Sequence, residues 1–235
     1  MKTKGDFGLK VYLIGAGPGN PDLLTLRGYR IAQSADIVLC DRLIPDEMCR
    51  SFRGISITTI DDVVQFVTEA SKKGKTIAWL KNGDPLVFGG SIEICSELFK
   101  LGVSCEVVPG VSSSTGVASG AGIPLTSPDT PLFTVITAIS KDGNLVDFNA
   151  IPRKGTLVIV MGGKVISKLK GELLKARSED EPVAVISKGS MEEEKMKIGK
   201  LRDLDLIAMG LDPPITIVVG ETIRYANIYS VHIEP

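Results

Sequence analysis

Histidine and cysteine are scarce in this chain. The single histidine, His232, lies close to the carboxyl end, so a histidine-centred triad is not expected and we interpret His232 as structural. The four cysteines, Cys40, Cys49, Cys95 and Cys105, form no C-x-x-C pair, which indicates neither a zinc site nor a redox motif. We interpret them as reduced, mostly buried thiols, and this predicts a cytoplasmic protein without a bound metal.

Long apolar runs and an excess of charge of one sign are also lacking. No stretch approaches the roughly 20 apolar residues that span a bilayer, and the opening segment MKTKGDFGLKVYLIG does not predict a signal peptide. Lys and Arg number 27 against 28 Asp and Glu, a formal net charge of -1, so no overall positive field would gather nucleic acid. We therefore expect neither a membrane nor a nucleic acid as partner.

Strand-like and helix-like segments alternate along the first half of the chain. Leu9–Ile14 is apolar almost throughout and stops at glycines, the pattern of a strand buried on both faces. Thr25 can cap the following helix, and Ile37–Cys40 is the next predicted strand. Further elements are a helix capped by Asp61 and ended by Gly74, a strand at Thr76–Leu80, a helix at Ile92–Leu101 stopped by Gly102, and a strand at Cys105–Val108. This alternation predicts a mainly parallel sheet with helices on both faces.

The character of the sequence changes between Pro109 and Pro131, where Ser, Gly and Pro cluster. We place a domain boundary there, dividing the chain into residues 1–115 and 116–235. The second part shows a helix near Val165–Leu174 and a charge run, Met191–Lys197, typical of a solvated face. Its predicted strands are Leu132–Thr137, Thr156–Met161, Pro182–Ser187, Ile215–Val219 and Ile228–Ile233. We predict a second α/β unit, with antiparallel pairing at its edges.

A glycine-rich loop, Gly15–Pro21, directly follows the first predicted strand. Its three glycines let the backbone turn tightly and approach a ligand. As a dinucleotide-binding G-x-G-x-x-G loop it is defective, because Asn20 replaces the third glycine, and Pro18 and Pro21 remove two backbone N–H groups that would hold a pyrophosphate. The loop fits the lining of a cleft better than a phosphate cradle, and a bend without a ligand is the alternative.

Two further polar segments follow predicted strands. LKNGDPLVFGG begins at Leu80, and Asp41-Arg42 closes the strand Ile37–Cys40. Alone, the run Asn82–Pro85 would make a plain turn, and Asp41 could cap a helix or pair with Arg42. Ligands of open parallel sheets gather beyond the carboxyl ends of the strands, so loops at one edge favour a binding site in which Asp41 accepts a proton.

These segments resemble the signatures of a known family. VYLIGAGPGNPDLLTLRGYRIAQSADIVLCDRLI resembles the opening signature of the uroporphyrinogen-III C-methyltransferases, and LKNGDPLVFGG resembles their second signature. Shorter similarities, EVVPGV, AGIPLT, TLVIVMG and PITIVVGE, extend the resemblance over nearly the whole chain. The resemblance implies two α/β domains of the tetrapyrrole methylase type, S-adenosylmethionine in the cleft between them, no metal, and a homodimer.

The family's functional residues can be placed on matching positions of this chain. Asp41 stands where the family has its proposed proton acceptor. The resemblance implies cofactor contacts by Pro18, Asn82, Gly83, Asp84, Val87, Ser112, Ser113, Met161 and Gly189. Uroporphyrinogen is rich in carboxylates, so cationic side chains should rim its site. The candidates near the motifs are Arg27, Arg42 and Lys81, which could equally be ordinary surface charges.

Most departures from the family pattern fall on the substrate side. Asn82 replaces a usual glycine, Gly90 replaces a usual arginine, and the segment between Asp41 and Leu80 is shorter than usual, without a clear counterpart of a lysine proposed to donate a proton. We predict methylation of uroporphyrinogen III to precorrin-2. The alternatives are a methyltransferase for a later precorrin, a non-catalytic cofactor-binding homologue and, less well matched because of the missing third glycine, an NAD-dependent dehydrogenase.

Overall fold

The computed structural model describes residues 9–147 and 151–229. The chain divides into two compact units, Met1–Ser112 and Ser113–Pro235, called here the first and second units. His232 lies outside the described residues, as does most of the strand predicted at Ile228–Ile233. Ile228 and Tyr229, the part of that segment that is described, lie in a turn and not in a strand.

The first unit contains a parallel sheet. Its strands are β1 (Leu9–Gly15), β2 (Ile37–Cys40), β3 (Ile55–Ser56), β4 (Ile77–Lys81) and β5 (Val103–Val108), and its helices are α1 (Leu26–Ser34), α2 (Asp46–Ser51), α3 (Val63–Lys72) and α4 (Ser91–Lys100). Within the described residues the strand order is β3-β2-β4-β1-β5, and every pairing is parallel. The predicted parallel sheet is therefore confirmed, although the short elements α2 and β3 were not predicted.

Strand β4 is the centre of this sheet, and all of its residues are buried. Successive side chains of a strand point to opposite faces, so Ala78 and Leu80 enter one core while Ile77 and Trp79 enter the other. Residues of α1 and α2 cover the first face, and residues of α3 and α4 cover the second. The helices lie on both faces, as the alternation of elements predicted.

Short polar and glycine signals set the ends of the helices. Thr25 caps α1 as predicted, since its Oγ1 accepts a hydrogen bond from the Gly28 N–H at 3.1 Å. The cap of α3 is Asp62 and not Asp61: Asp62 Oδ1 accepts from the Gln65 N–H at 2.9 Å, and only the residue immediately before the first helical turn can reach that group. Positive φ angles at Gly74 and Gly102 follow α3 and α4, where glycine was predicted to stop each helix.

The second unit contains a mixed sheet. Its strands are β6 (Phe133–Thr137), β7 (Thr156–Val160), β8 (Pro182–Ser187), β9 (Lys195–Lys200) and β10 (Ile215–Val219), and its helices are α5 (Ser113–Gly120), α6 (Ile166–Leu173) and α7 (Leu204–Ala208). The order in the described residues is β6-β7-β10-β8-β9. Strand β10 inserts between β7 and β8 and runs antiparallel to both. Antiparallel pairing therefore also occurs in the interior of the sheet, whereas the sequence predicted it only at the edges.

Strand β9 is an edge strand that was not predicted, because its sequence overlaps a run of charged residues. The segment Met191–Lys197 was predicted as a solvated face, and Lys195–Lys197 is indeed exposed. These residues nevertheless pair with β8 in an antiparallel ladder. Lysines on an edge strand discourage pairing with another chain, so a charged composition is compatible with a strand at this position.

The four cysteines form two disulfides, contrary to the prediction of reduced thiols. Cys40 at the end of β2 is bonded to Cys49 in α2, and Cys95 in α4 is bonded to Cys105 in β5. The Cα–Cα distances are 6.0 and 5.9 Å. The two cysteines of each pair are 9 and 10 residues apart in sequence. The packing of a helix against its neighbouring strand brings their sulfurs together. A search for C-x-x-C spacing could not find such pairs.

Two kinds of feature are absent from the described ranges, 9–147 and 151–229. No helix there is long and apolar enough to cross a membrane. No group of three or more His, Cys, Asp and Glu side chains there could hold a metal ion.

The disulfides can be tested by counting thiols. Protein isolated without reductant and denatured with guanidinium should show no titratable thiol, whereas all four should titrate after reduction. Reduction should lower the free energy of unfolding by about 2–3 kcal/mol per bond, because each bond closes a short loop of the unfolded chain. As a control, Cys49→Ser should release one thiol, that of Cys40, and leave the second pair intact. Four titratable thiols before reduction would restore the original prediction.

Candidate functional site

Three loops interlock at the carboxyl edge of the first unit's sheet. Gly17 and Gly83, in the loops after β1 and β4, form an antiparallel bridge in which Gly83 N donates to Gly17 O at 2.8 Å. A Cβ on Gly15 would lie 2.5 Å from the Gly110 Cα in the loop after β5, and a Cβ on Gly110 would lie 2.5 Å from Gly83 O. The backbones thus touch where no side chain fits, which gives the glycine-rich loop a packing role whether or not a ligand binds.

Asp84 ties two of these loops together. Its Oδ1 accepts a hydrogen bond from the Leu86 N–H at 2.9 Å, and its Oδ2 accepts one from the Gly110 N–H at 3.1 Å. The first contact is the tight turn that the local sequence predicted, but the second joins the β4 loop to the β5 loop and was not foreseen. Each carboxylate oxygen has a further lone pair, so Asp84 can still accept a hydrogen bond from a ligand.

Asn82 and Val87, at the same edge of the sheet, offer an unpaired amide and an exposed apolar side chain. The half-buried amide of Asn82 has no hydrogen-bond partner within the part of the chain that the structure describes. Val87 is 40% exposed, and its neighbours Leu86 and Phe88 are exposed as well. Free amide groups beside exposed apolar side chains are features that ligand sites combine.

Asp41 lies opposite Lys81 across the strand pair β2–β4. Its N–H donates to Leu80 O at 3.0 Å, which continues the pairing in which Cys40 lies beside Leu80. Asp41 Oδ2 is 2.9 Å from Lys81 Nζ, so the carboxylate pairs with Lys81 and not with Arg42, the alternative raised by the sequence. The Lys81 side chain is only 5% exposed. It is therefore not one of the exposed cations predicted to rim a substrate site, because it ends the central, fully covered strand.

The two arginines proposed as substrate contacts differ in availability. Arg27 pairs with Glu106 of β5 at 2.5 Å, and Lys10 pairs with the other oxygen of Glu106 at 2.7 Å. The hydrogen bond from Lys10, together with the charges of Lys10 and Arg27, holds the pKa of the Glu106 carboxyl below its ordinary value. Arg42 is exposed and makes no ion pair with any described residue. Arg42 is thus the better placed of the two to meet an anionic ligand.

Backbone strain clusters around positions at which the resemblance implies cofactor contacts. The non-glycine residues with positive φ in the described ranges are Arg53, Phe88, Met161, Lys188 and Ser190. Phe88 follows Val87, Met161 is itself an implied contact, and Lys188 and Ser190 flank Gly189. Such strain is concentrated at functional sites in proteins, because it persists only where the surroundings enforce it. Met161 is also 44% exposed, although it directly follows β7, whose residues are all buried.

The other implied contacts have structural surroundings of their own. A Cβ on Gly189 would clash with Val117 of α5, so packing alone requires glycine there. Pro18 is buried within the glycine-rich loop. Ser112 and Ser113 are half-buried on either side of the division between the two units. The cofactor roles implied for these four residues, like those of the other five implied contacts, stay predictions.

Comparison with known proteins places these features in a family. The model of the Tetrapyrrole (Corrin/Porphyrin) Methylases matches residues 10–205. The siroheme synthase of Chromobacterium violaceum is 34% identical over 235 residues, which cover 92% of this chain and 50% of that protein. The siroheme synthase of Thiobacillus denitrificans is 36% identical over 233 residues, covering 92% of this chain and 49% of that protein. The chain thus spans about half the length of these relatives.

Solved structures show the same fold. A cobalt precorrin-4 methyltransferase matches with a TM-score of 0.84 and 27% identity, over 94% of this chain and 99% of that chain. Uroporphyrin-III C-methyltransferase from Thermus thermophilus, in complex with S-adenosylhomocysteine, matches with a TM-score of 0.82 and 31% identity, over 92% of this chain and 99% of that chain. The predicted fold class and the resemblance read from the sequence are confirmed. Two enzymes with different named substrates match almost equally well, so the fold does not distinguish between substrates.

The tie made by Asp84 can be tested through stability. Asp84→Ala should lower the free energy of unfolding by about 2–4 kcal/mol, because two backbone N–H groups lose a charged acceptor. Asp84→Asn should cost less, since its single carbonyl oxygen can keep one of the two hydrogen bonds. Chemical denaturation measures both changes. Asp61→Ala is the matched control, an exposed aspartate of the same unit that makes no hydrogen bond or ion pair with a described residue. Equal losses in Asp84→Ala and Asp61→Ala would show that the tie contributes nothing.

Proposed function

Because the chain belongs to the tetrapyrrole (corrin/porphyrin) methylases, we propose that it transfers methyl groups from S-adenosylmethionine to uroporphyrinogen III, giving precorrin-2. The observation that carries the proposal is the edge of the first unit's sheet, where a free amide and a half-buried carboxylate directly follow neighbouring strands, beside interlocked glycine loops. The named activity of the Thermus thermophilus relative, which is 31% identical and matched over 99% of its length, supports this choice of substrate.

The residues present fit a methyl donor of this kind. S-adenosylmethionine combines a charged amino-acid part, which needs hydrogen-bonding groups, with an adenosine part, which needs apolar cover. The Asn82 amide offers the first, and the exposed Val87 and Met161 offer the second. We infer that these residues hold the cofactor, with Pro18, Gly83, Asp84, Ser112, Ser113 and Gly189 as further contacts. When bound, the cofactor supplies an electrophilic methyl group on a sulfonium.

Asp41 has the chemistry for the remaining part of the reaction. Transfer of the methyl group to a pyrrole carbon would form a C–C bond as the S–CH3 bond breaks and S-adenosylhomocysteine leaves. The positive charge would pass to the pyrrole, and a proton must then leave the carbon framework. The Asp41 carboxylate can stabilise that charge and accept that proton. One of its oxygens is held by Lys81, and the other has no partner among the described residues. Holding the reactants in line can contribute several kcal/mol to the acceleration.

The choice between tetrapyrroles depends on cations at the site. Of the three candidate cations, Arg27 is paired with Glu106 and Lys81 is buried, which leaves Arg42 as the exposed one that is unpaired among the described residues. Gly90, where the family usually has arginine, has open space around it and supplies no charge. Fewer cationic contacts should raise the KM for a carboxylate-rich substrate. A later precorrin is the second candidate, because a cobalt precorrin-4 methyltransferase matches the fold about equally well, and a non-catalytic cofactor-binding homologue is the third.

A homodimer and a cytoplasmic location complete the proposal. The homodimer rests on the family resemblance. The location was inferred partly from reduced cysteines, and the two disulfides remove that argument, so it now rests on the proposed tetrapyrrole chemistry alone.

Calorimetry should separate the methyltransferase from the dehydrogenase alternative. S-adenosylhomocysteine should bind and NAD should not. Asn82→Ala should weaken S-adenosylhomocysteine binding up to about tenfold, because neutral hydrogen bonds from the free amide are lost. Asn227→Ala, at an exposed turn of the second unit, is the control and should leave the affinity unchanged. Binding of NAD without binding of S-adenosylhomocysteine would overturn the methyltransferase proposal.

Incubation with labelled S-adenosylmethionine and fresh uroporphyrinogen III, followed by mass analysis, tests the reaction itself. The label should enter the tetrapyrrole and give the mass of precorrin-2. Arg42→Ala should raise KM by about tenfold with little change in kcat, the behaviour of a charge-assisted contact present in both ground and transition states. Arg30→Ala, an exposed arginine of α1, serves as the control. An unchanged mass with uroporphyrinogen III, together with methylation of precorrin-2 or a later precursor, would show that the substrate is wrong.

A further inference from the structure

Lys81 is a buried cation at the end of the central strand. Its side chain is 5% exposed, and a buried ammonium is costly unless an anion compensates it. Among the described residues, the anion that compensates it is Asp41, whose Oδ2 lies 2.9 Å from the Lys81 Nζ. The partner of this buried cation is therefore the same carboxylate that the proposed reaction uses to accept a proton.

The strand register and the alternation of side chains along β4 together fix the contact between Lys81 and Asp41. The β2–β4 register places Cys40 beside Leu80, and the hydrogen bond from Asp41 N to Leu80 O extends that register, so Asp41 lies next to Lys81. Alternate residues of a strand share a face, which places the Lys81 side chain beside that of Trp79, with its Nζ 5.1 Å from the ring centroid. The Lys81 ammonium is thereby held between an aromatic ring and a carboxylate, so the side chain has little freedom to contact other groups.

We propose that Lys81 is a positioning residue for Asp41, and that it is not a contact to substrate carboxylates. By holding Oδ2, it fixes the plane of the carboxylate and leaves Oδ1, on a side chain that is 23% exposed, to receive the proton. This inference rests on the proposed function, because it assigns a role within that reaction. It explains why Lys81, which the sequence suggested as a cation at the rim of the substrate site, is buried in the fold.

A double-mutant cycle tests whether Lys81 acts through Asp41. Lys81→Met keeps an unbranched side chain one atom shorter and removes its charge, so kcat should fall by about 100-fold, the cost of misplacing a reacting group. KM and the affinity for S-adenosylhomocysteine should change less than about twofold, since neither involves Lys81 directly. In an Asp41→Asn background, Lys81→Met should have almost no further effect on kcat, because the group it positions is already lost.

Two variants control for charge and for folding. Lys75→Met removes an exposed lysine that pairs with Asp36 at 3.1 Å in the same unit, and it should leave kcat unchanged. Lys81→Arg keeps a cation beside Asp41 and should retain much more of kcat than Lys81→Met does. If Lys81→Met does not fold, the comparison of Lys81→Arg with the unsubstituted protein replaces it, and a partial loss of kcat at constant KM is then the expected result.

The outcomes separate this inference from the proposed function. A raised KM with unchanged kcat in Lys81→Met, or in Lys81→Arg if that variant replaces it, would make Lys81 a substrate contact and overturn the positioning role. Equal losses of kcat in the wild-type and Asp41→Asn backgrounds would also overturn it, since Lys81 would then act independently of Asp41. If the unsubstituted protein transfers no methyl group to any tetrapyrrole, the proposed function itself fails, and the positioning role fails with it.

Discussion

The close approach of three backbones at the carboxyl edge of the first unit's sheet is the constraint on which the site depends. The backbones of Gly15, Gly83 and Gly110 touch one another, and a Cβ on Gly15 or Gly110 would have no room. Once these loops are in contact, the Asp84 carboxylate reaches the Gly110 N–H, and the adjoining Asn82 amide is left without a partner among the described residues. The glycines are therefore needed first for packing, and the surface that a ligand can use is a result of that packing.

Charge is distributed in two distinct ways around this edge. Arg27 and Lys10 share Glu106 on the exposed surface, where ion pairs contribute little to stability because water already screens them. Lys81 and Asp41 form a pair shielded by the sheet, where losing one partner leaves the other charge poorly solvated. The first arrangement engages Arg27 only weakly, and the second connects the fold of the central strand to the orientation of the proposed proton acceptor.

The cysteines show how far spacing alone can mislead. Cys40 and Cys49 are apart in sequence but close in space, because α2 folds back against the strand that precedes it. Gly54 completes this arrangement, since a Cβ there would lie 2.7 Å from Cys40 Sγ. Cys95 and Cys105 pair in the same manner between α4 and β5. In both cases a motif search looked for local pairs, whereas the packing of a helix on a strand created the contacts.

The sequence by itself determined what depends on neighbours along the chain. Apolar runs such as Leu9–Ile14, the Thr25 cap and the stops at Gly74 and Gly102 are local, and two long signatures identified the family. The tertiary structure decided what depends on pairing between distant segments. It placed β10 in the middle of the second sheet, joined Asp84 to Gly110, and buried Lys81 against Asp41. Those contacts depend on strand order and register, which bring together residues far apart in the sequence and which no local pattern specifies.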